Sequence, residues 1–253
     1  MKNGRLKTLQ WLAPLALLTA TSAQADTIFG VYAGGQYWDT QTSGAFGTER
    51  QQRAFSFDDD QQSSYYVAVE HPIPLVPNVK VRVNDIQAMG SVTLEQNYSF
   101  NGQTYMAGST VTGLADISHT DFTLYYEFFD NDLISFDLGA TAKRVDGGLA
   151  FRQNTSNNEA NGDTWVPTLY SQVRVGIPAT DLTLYALANA VSIDDSSIRD
   201  IEAGIEYRLI ENLAIDLNLQ LGYRDMQIEL DDVDGLYSDL SFKGPYLGLE
   251  IHF

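Results

Sequence analysis

Few residues in this chain have the types and spacing needed for acid–base catalysis. Among the three histidines, His119 shares the inward side of a predicted strand with the carboxylate Asp121, in the half of that strand nearer the outer loops. A histidine held by an aspartate can activate water or a hydroxyl group. His71 lies beside a predicted short turn, and His252 lies at the end of the chain. Since no further residues of a hydrolase accompany His119, we predict that the protein is not an enzyme and keep hydrolysis by this pair as the alternative.

Carboxylates cluster in three of the predicted connections, as FDDD at 57–60, DD at 194–195 and LDDVDG at 230–235. Oxygen ligands suit Ca²⁺ and Mg²⁺. The third cluster does not fit an EF-hand loop, because Leu230 and Ser241 stand at its first and twelfth ligand positions. We therefore expect solvated acidic loops, with divalent cations as an alternative partner.

The composition excludes several other classes of site. The chain has no cysteine, hence no disulfide framework and no thiolate metal site. No glycine-rich phosphate loop, zinc signature or nucleophile elbow is present, and we predict no cofactor. With 15 basic and 33 acidic residues the formal net charge is −18, which argues against nucleic acid as a partner.

The first 25 residues have the pattern of a secretory signal peptide. Lys2, Arg5 and Lys7 precede an apolar run over residues 9–18, and Ala23-Gln24-Ala25 has the small-x-small form that signal peptidase cleaves. The apolar run is about half the length of a membrane-spanning helix, which needs about 20 residues. We therefore predict a signal peptide at residues 1–25 and one domain at residues 26–253.

Apolar and polar residues alternate through most of that domain. In NLAIDLNLQLGY, Leu213, Ile215 and Leu217 face one way while Asp216 and Asn218 face the other. Ten such segments occur, near residues 27–38, 63–71, 78–90, 115–128, 133–145, 164–177, 182–191, 198–209, 213–225 and 240–253. Most exceed the five or six residues typical of soluble strands and suit the roughly nine to eleven of a tilted membrane strand. In the third segment the alternation slips at Asn84-Asp85, which predicts a bulge or an early end of the strand.

The connections between these segments alternate in length. Short ones (HPIPLVPN, DND, PATD, IEN) follow segments two, four, six and eight, and longer polar ones follow most of the others. This alternation is typical of outer-membrane barrels, which have tight periplasmic turns and long outer loops. The connection at 192–197 is an exception, because it is short where a long loop is expected. We predict an all-β fold, a single antiparallel transmembrane β-barrel of ten strands with both termini periplasmic, and keep eight strands and a soluble periplasmic sandwich as alternatives.

The last segment, GPYLGLEIHF, alternates up to the terminal Phe253. Chain ends usually fray unless they are tied down, and pairing of the last strand with the first would tie this one down. With its signal peptide and ten long alternating segments, the chain resembles the small, porin-like outer-membrane β-barrel proteins of Gram-negative bacteria, in particular an uncharacterised proteobacterial family. The resemblance implies a place in the outer membrane, contact with its lipid and lipopolysaccharide, and recognition of Phe253 by the barrel-assembly machinery. We expect a monomer.

The side chains that face inward on these strands would carry charges of both signs. The predicted lumen network comprises Lys80, Arg82, Glu127, Asp137, Lys143, Arg174, Glu202, Glu206, Arg208, Asp216 and Glu250. A narrow barrel is filled by its own side chains, and paired charges satisfy one another in its interior. We therefore predict a plugged or narrow lumen and a structural or surface-interaction role, with a small selective pore as the alternative.

Overall fold

The computed structural model describes residues 29–48, 51–131, 133–154, 156–212, 215–233 and 235–253. The predicted signal peptide, residues 1–25, lies outside the described residues. Within these ranges no helix is long and apolar enough to cross a membrane.

Sixteen strands account for most of the described residues. They are β1 (Gly30–Thr48), β2 (Gln51–Ala54), β3 (Ser56–Phe57), β4 (Asp60–Glu70), β5 (Asn78–Asp85), β6 (Gln87–Thr93), β7 (Tyr98–Phe100), β8 (Gln103–Tyr105), β9 (Thr110–Asp116), β10 (His119–Asp130), β11 (Ile134–Gln153), β12 (Ser156–Gly176), β13 (Leu182–Ile193), β14 (Ser196–Glu211), β15 (Asp216–Val233) and β16 (Leu236–His252).

Ten of these strands form a closed antiparallel barrel. Their order around the wall is β10, β5, β4, β1, β16, β15, β14, β13, β12 and β11, and pairing of β10 with β11 completes the ring. Each of the ten alternating segments contributes one wall strand, so the prediction of ten strands is confirmed and the eight-strand alternative is wrong. Closure leaves the membrane-spanning part of the wall without an edge strand.

The two ends of the barrel differ. At the turn end lie the short connections that follow β4, β10, β12 and β14, and the first wall strand pairs there with the last through Tyr32 and His252. At the opposite, loop end, several strands continue far beyond the roughly nine to eleven residues that span a bilayer. The longest are β11 with 20 residues and β12 with 21. We call this projecting part the outer extension.

The outer extension contains strands that the alternation did not resolve. The third predicted segment ends as a wall strand at Asp85, and after Ile86 the chain leaves the wall as β6. Strand β6 pairs with β3 and β9, and β9 pairs with the upper part of β11. The break therefore lies where the slip in alternation predicted it.

A cluster of buried apolar side chains fills the outer extension, and we call it the cap core. Phe151 stands at its centre, with its ring centroid 4.3 Å from that of Phe100 and 5.7 Å from that of Phe46. Trp38, Met226 and others extend the cluster down toward the barrel. A packed apolar core thus lies at the loop end of the barrel.

The outer face of the barrel wall is apolar and exposed. Leu169 is 61% exposed and Leu249 is 49% exposed. Five aromatic residues of the wall strands and the chain end are also exposed, namely Tyr37, Tyr65, Phe128, Tyr207 and Phe253. Toward the loop end this band stops at outward-facing polar residues, among them Asp39, Asp85 and Arg144. An apolar surface of this extent marks an interaction with lipid or another apolar partner.

Candidate functional site

Six charged side chains meet in the middle of the lumen. They are Arg82 on β5, Asp121 on β10, Lys143 on β11, Asp200 and Glu202 on β14, and Arg224 on β15. Strand alternation directs them inward, since their immediate neighbours along each strand face outward. All six are at most 5% exposed. We call this set the central ion-pair layer; it holds equal numbers of basic and acidic groups.

The central ion-pair layer is tightly connected. Arg224 donates to both carboxylate oxygens of Asp200, at 2.8 and 2.7 Å, and its Nε lies 3.6 Å from Glu202 Oε1. Arg82 pairs with Glu202, and Lys143 Nζ donates to Asp121 Oδ1 at 2.7 Å. Because each buried charge has an opposite partner, the layer avoids the large cost of burying isolated ions.

Trp38 joins this layer to the cap core. The Arg224 guanidinium lies 4.7 Å from the centre of the Trp38 ring, and Trp38 Nε1 donates to the Gly244 carbonyl at 3.1 Å. The indole therefore separates the ion pairs from the apolar side chains above them. The central ion-pair layer and the cap core therefore lie next to each other inside the barrel.

Toward the turn end the lumen widens into a cavity of about 310 Å³, which we call the vestibule. Arg174 crosses it, with Nη2 2.5 Å from Glu206 Oε1 and 3.6 Å from Glu250 Oε1. Lys80 Nζ lies 4.4 Å from the centre of the Tyr66 ring, whose hydroxyl donates to Glu250. Glu127 and Asp137 also line the vestibule.

The predicted lumen network therefore falls into three groups. Arg82, Lys143 and Glu202 belong to the central ion-pair layer, and Lys80, Glu127, Asp137, Arg174, Glu206 and Glu250 line the vestibule. Arg208 and Asp216 lie at its rim: Arg208 pairs with Glu211 at 2.9 Å, and Asp216 Oδ2 is 3.8 Å from His252 Nδ1. Whether these groups act as one functional network stays a prediction.

His119 and Asp121 are adjacent but engaged elsewhere. His119 Nδ1 lies 2.8 Å from the Ile117 carbonyl, which identifies it as the donor, and Nε2 is 3.8 Å from Asp121 Oδ2. Asp121 is held by Lys143. The two side chains are only 1% and 5% exposed. They do not form the hydrogen-bonded, accessible pair that general-base catalysis needs.

The remaining chemistry-bearing residues are spread over the surface. His71 Nε2 lies 3.2 Å from the Pro77 carbonyl within a turn, and the His252 ring stacks on Tyr32 at 4.1 Å. Within the described ranges no group of three or more histidine, aspartate or glutamate side chains is arranged to hold a metal ion. Divalent-cation binding by the acidic loops therefore stays a prediction.

Exposed ion pairs, which we did not predict, mark the loop-end margin of the apolar band. Arg144 forms two hydrogen bonds to Asp163, at 3.2 and 2.8 Å, and this hydrogen bonding lowers the pKa of the Asp163 carboxyl. Asp225 lies 3.6 Å from Arg199 and 3.4 Å from Lys243. In the sequence, the position of these ion pairs is indicated by the first charged residue that follows each run of outward-facing apolar residues.

A closed ten-stranded barrel with an apolar outer face and a charged interior has the fold of the bacterial outer-membrane β-barrel proteins. No protein-family model and no curated protein matches the chain. Among solved structures it is similar to the outer membrane protease OmpT of Escherichia coli, with 8% identity, 88% of this chain and 97% of that chain covered, and a TM-score of 0.43. It is also similar to Ail of Yersinia pestis, crystallised with the heparin analogue sucrose octasulfate, with 9% identity, 90% of this chain and 100% of that chain covered, and a TM-score of 0.31. A third similar structure is Neisserial surface protein A, with 11% identity, 90% of this chain and 98% of that chain covered, and a TM-score of 0.30.

Proposed function

We propose that this chain is an integral protein of the Gram-negative outer membrane whose lumen is closed to solutes, and that it has a structural or surface-interaction role. The apolar outer band supports membrane insertion, since exposed leucines and valines would be unfavourable in water and are favourable in lipid. The turn end faces the periplasm in this proposal, and the outer extension faces the exterior.

The observation that carries the proposal is the buried central ion-pair layer inside the barrel, with the packed cap core next to it. A solute crossing the barrel would have to separate buried ion pairs, and disrupting one such pair costs about 3–5 kcal/mol. The packed aromatic side chains around Phe151 would obstruct part of the loop end as well. They include side chains of the wall strands β1 and β11 and of β7, which lies outside the wall.

The outer extension is where we place the surface role. It continues β1, β11, β12, β15 and β16 well beyond the apolar band and carries the exposed acidic residues Asp58 and Asp59. Closure of the wall removes the strand edges through which barrels could pair, which supports a monomer. Outer-membrane lipid and lipopolysaccharide would surround the band, and the assembly machinery would insert it.

The natural absence of cysteine allows a direct test of closure. Ser135 lines the vestibule, and Asp59 lies in the outer extension. We would reconstitute Ser135→Cys and Asp59→Cys separately in lipid vesicles and add a small thiol reagent that does not cross bilayers. With reagent only on the side where Asp59→Cys reacts, Ser135→Cys should stay unmodified until the vesicles are opened.

Planar-bilayer recording of the wild-type protein provides the second arm of this test. We expect no steady single-channel current from barrels shown to be folded by their heat-dependent migration in gels. Labelling of Ser135→Cys from the Asp59 side, or a steady current, would overturn the proposal in favour of the small pore.

Hydrolysis by His119 and Asp121 is the alternative function, and nothing in the geometry of this pair favours it. Lys143 engages the aspartate, and burial shields the imidazole from substrate.

A further inference from the structure

At the loop end, the barrel wall extends less far at β13 and β14 than at β12 and β15. β12 pairs with β13 only over Leu169–Gly176, although it continues along β11 to Ser156. The β13–β14 hairpin closes at the pair Ile193 and Ser196, whereas β15 continues to Val233. Between the upper parts of β12 and β15, the described residues therefore leave a notch. Its cause is the short connection at 192–197, which broke the alternation of loop lengths in the sequence.

A cavity of about 590 Å³ lies behind this notch. Its wall is formed largely by apolar side chains of β12, β13 and β15, among them Val166, Pro167, Val191, Met226 and Ile228. A dry apolar cavity of about 150 Å³ binds benzene, and ligand sites typically enclose about 300–1,000 Å³. The cavity is thus large enough for a molecule of several ring systems or an equivalent aliphatic chain.

The mouth of the cavity lies at the loop-end margin of the apolar band. Trp165, which lines the cavity, is 57% exposed and packs against Phe122 on the outer face at a ring distance of 5.7 Å. Leu169, four residues further along β12 toward the turn end, is 61% exposed. An apolar molecule at this margin could therefore enter sideways, without crossing the closed lumen.

Carboxylates surround the mouth of the cavity. Asp194, Asp195, Asp231 and Asp232 all line it and are exposed. The cation in its wall, Lys143, is already paired with Asp121. Four carboxylates without a free cation repel an anionic headgroup. The charge pattern therefore disfavours fatty-acid anions and phosphate-bearing lipids.

We propose that this lateral cavity binds a small, uncharged apolar molecule that enters through the notch. The proposal is independent of the closure of the lumen, because the cavity lies above the central ion-pair layer and opens to the side. We infer an apolar ligand from the size and the lining of the cavity. We infer that this ligand carries no negative charge from the carboxylates at the mouth of the cavity.

Two probes that share one fluorophore test both parts of the proposal. N-phenyl-1-naphthylamine is uncharged, and its 8-sulfonate derivative carries one negative charge. Titrated into the protein in lipid nanodiscs, the uncharged probe should show a saturable component of one site per barrel above the signal of empty discs. The sulfonate should show none.

Matched variants locate that site. Val166→Phe with Val191→Phe narrows the cavity and should weaken binding of the uncharged probe by about tenfold or more. Val67→Phe with Val83→Phe makes the same change on the lipid-facing wall, where these residues are 52% and 50% exposed, and should leave binding unchanged. Folding of both variants is checked by heat-dependent gel migration.

The acidic mouth is tested by replacing Asp194 and Asp232 with asparagine. Both have a positive φ, 51° and 59°, a conformation that asparagine tolerates. This double variant should admit the sulfonate probe. The proposal fails if the uncharged probe only partitions as in empty discs, if the narrowed variant binds like wild type, or if the purified protein retains one anionic lipid in the cavity.

Discussion

Phe253 and Val31 exchange a pair of backbone hydrogen bonds. The N–H of Phe253 donates to the Val31 carbonyl at 2.9 Å, and the N–H of Val31 donates to the Phe253 carbonyl at 3.2 Å. They extend the β1–β16 ladder, in which Tyr32 pairs with His252, to the last residue of the chain. Phe253 therefore belongs to the seam that closes the barrel.

Replacing Phe253 with alanine should reduce assembly in cells several-fold. The ring is exposed, and the backbone bonds to Val31 do not need it, so the stability of the refolded barrel should change little. Assembly is measured as the folded fraction in outer-membrane preparations, with Phe253→Tyr as the aromatic control. Normal assembly of Phe253→Ala would contradict recognition of this residue.

Replacing Leu249 with arginine should destabilise the barrel by about 2–4 kcal/mol if it faces the middle of a bilayer. Leu249 is 49% exposed, so the same change in a water-soluble protein would cost little. The free energy of unfolding is measured by denaturant titration in lipid vesicles. Gln41→Arg, on the exposed face beyond the apolar band, is the control and should be nearly neutral. Equal, small effects of both changes would contradict a membrane location.

Replacing Arg224 with methionine should destabilise the protein by about 3–5 kcal/mol, because Asp200 would be left as a buried unpaired charge. The double variant Arg224→Met, Asp200→Leu should recover much of this loss in the same unfolding measurement. As a control, Arg144→Met breaks the exposed pair with Asp163 and should change the stability little. If Arg224→Met were no worse than Arg144→Met, the central ion-pair layer would not be held as described.

Replacing Gly34 with alanine should destabilise the barrel by about 1–3 kcal/mol through overpacking. A Cβ at this position would lie 2.4 Å from Tyr66 Cζ, and the Tyr66 hydroxyl is held by Glu250. Gly162→Ala is the control, since no atom lies within 4 Å of the added carbon. The comparison uses thermal unfolding in detergent micelles. A neutral Gly34→Ala would mean that the Tyr66 ring moves freely in the vestibule.

Much of the wall could be predicted from the sequence because a strand has a period of two. Alternation from Leu213 to Leu221 assigns each side chain to one face without knowledge of its neighbours, and the lengths of the connections assign strands to hairpins. The break after Asp85 was visible for the same reason, since a slip in parity is a local signal.

The outer extension and the notch could not be predicted in this way. β3 and β11 pair with β6 and β9 from distant parts of the sequence, and the aromatic residues of the cap core, such as Phe46 on β1 and Phe151 on β11, come from strands far apart along the chain. The sequence marked the connection at 192–197 as unusually short. A short connection becomes an opening in the wall only because β12 and β15, on either side of the β13–β14 hairpin, continue further toward the loop end.

The amino-acid sequence by itself predicted long barrel strands and which charges face the interior, because parity and strand length are local properties, but it left eight strands open beside ten. Only the tertiary structure decided that Arg224 meets Asp200 and Glu202 while Arg208 stays at the rim, since cross-strand register and the height of each residue in the barrel arise from the whole wall. It likewise decided where the central ion-pair layer and the apolar cap core lie, since each is assembled from strands that are distant from one another along the chain.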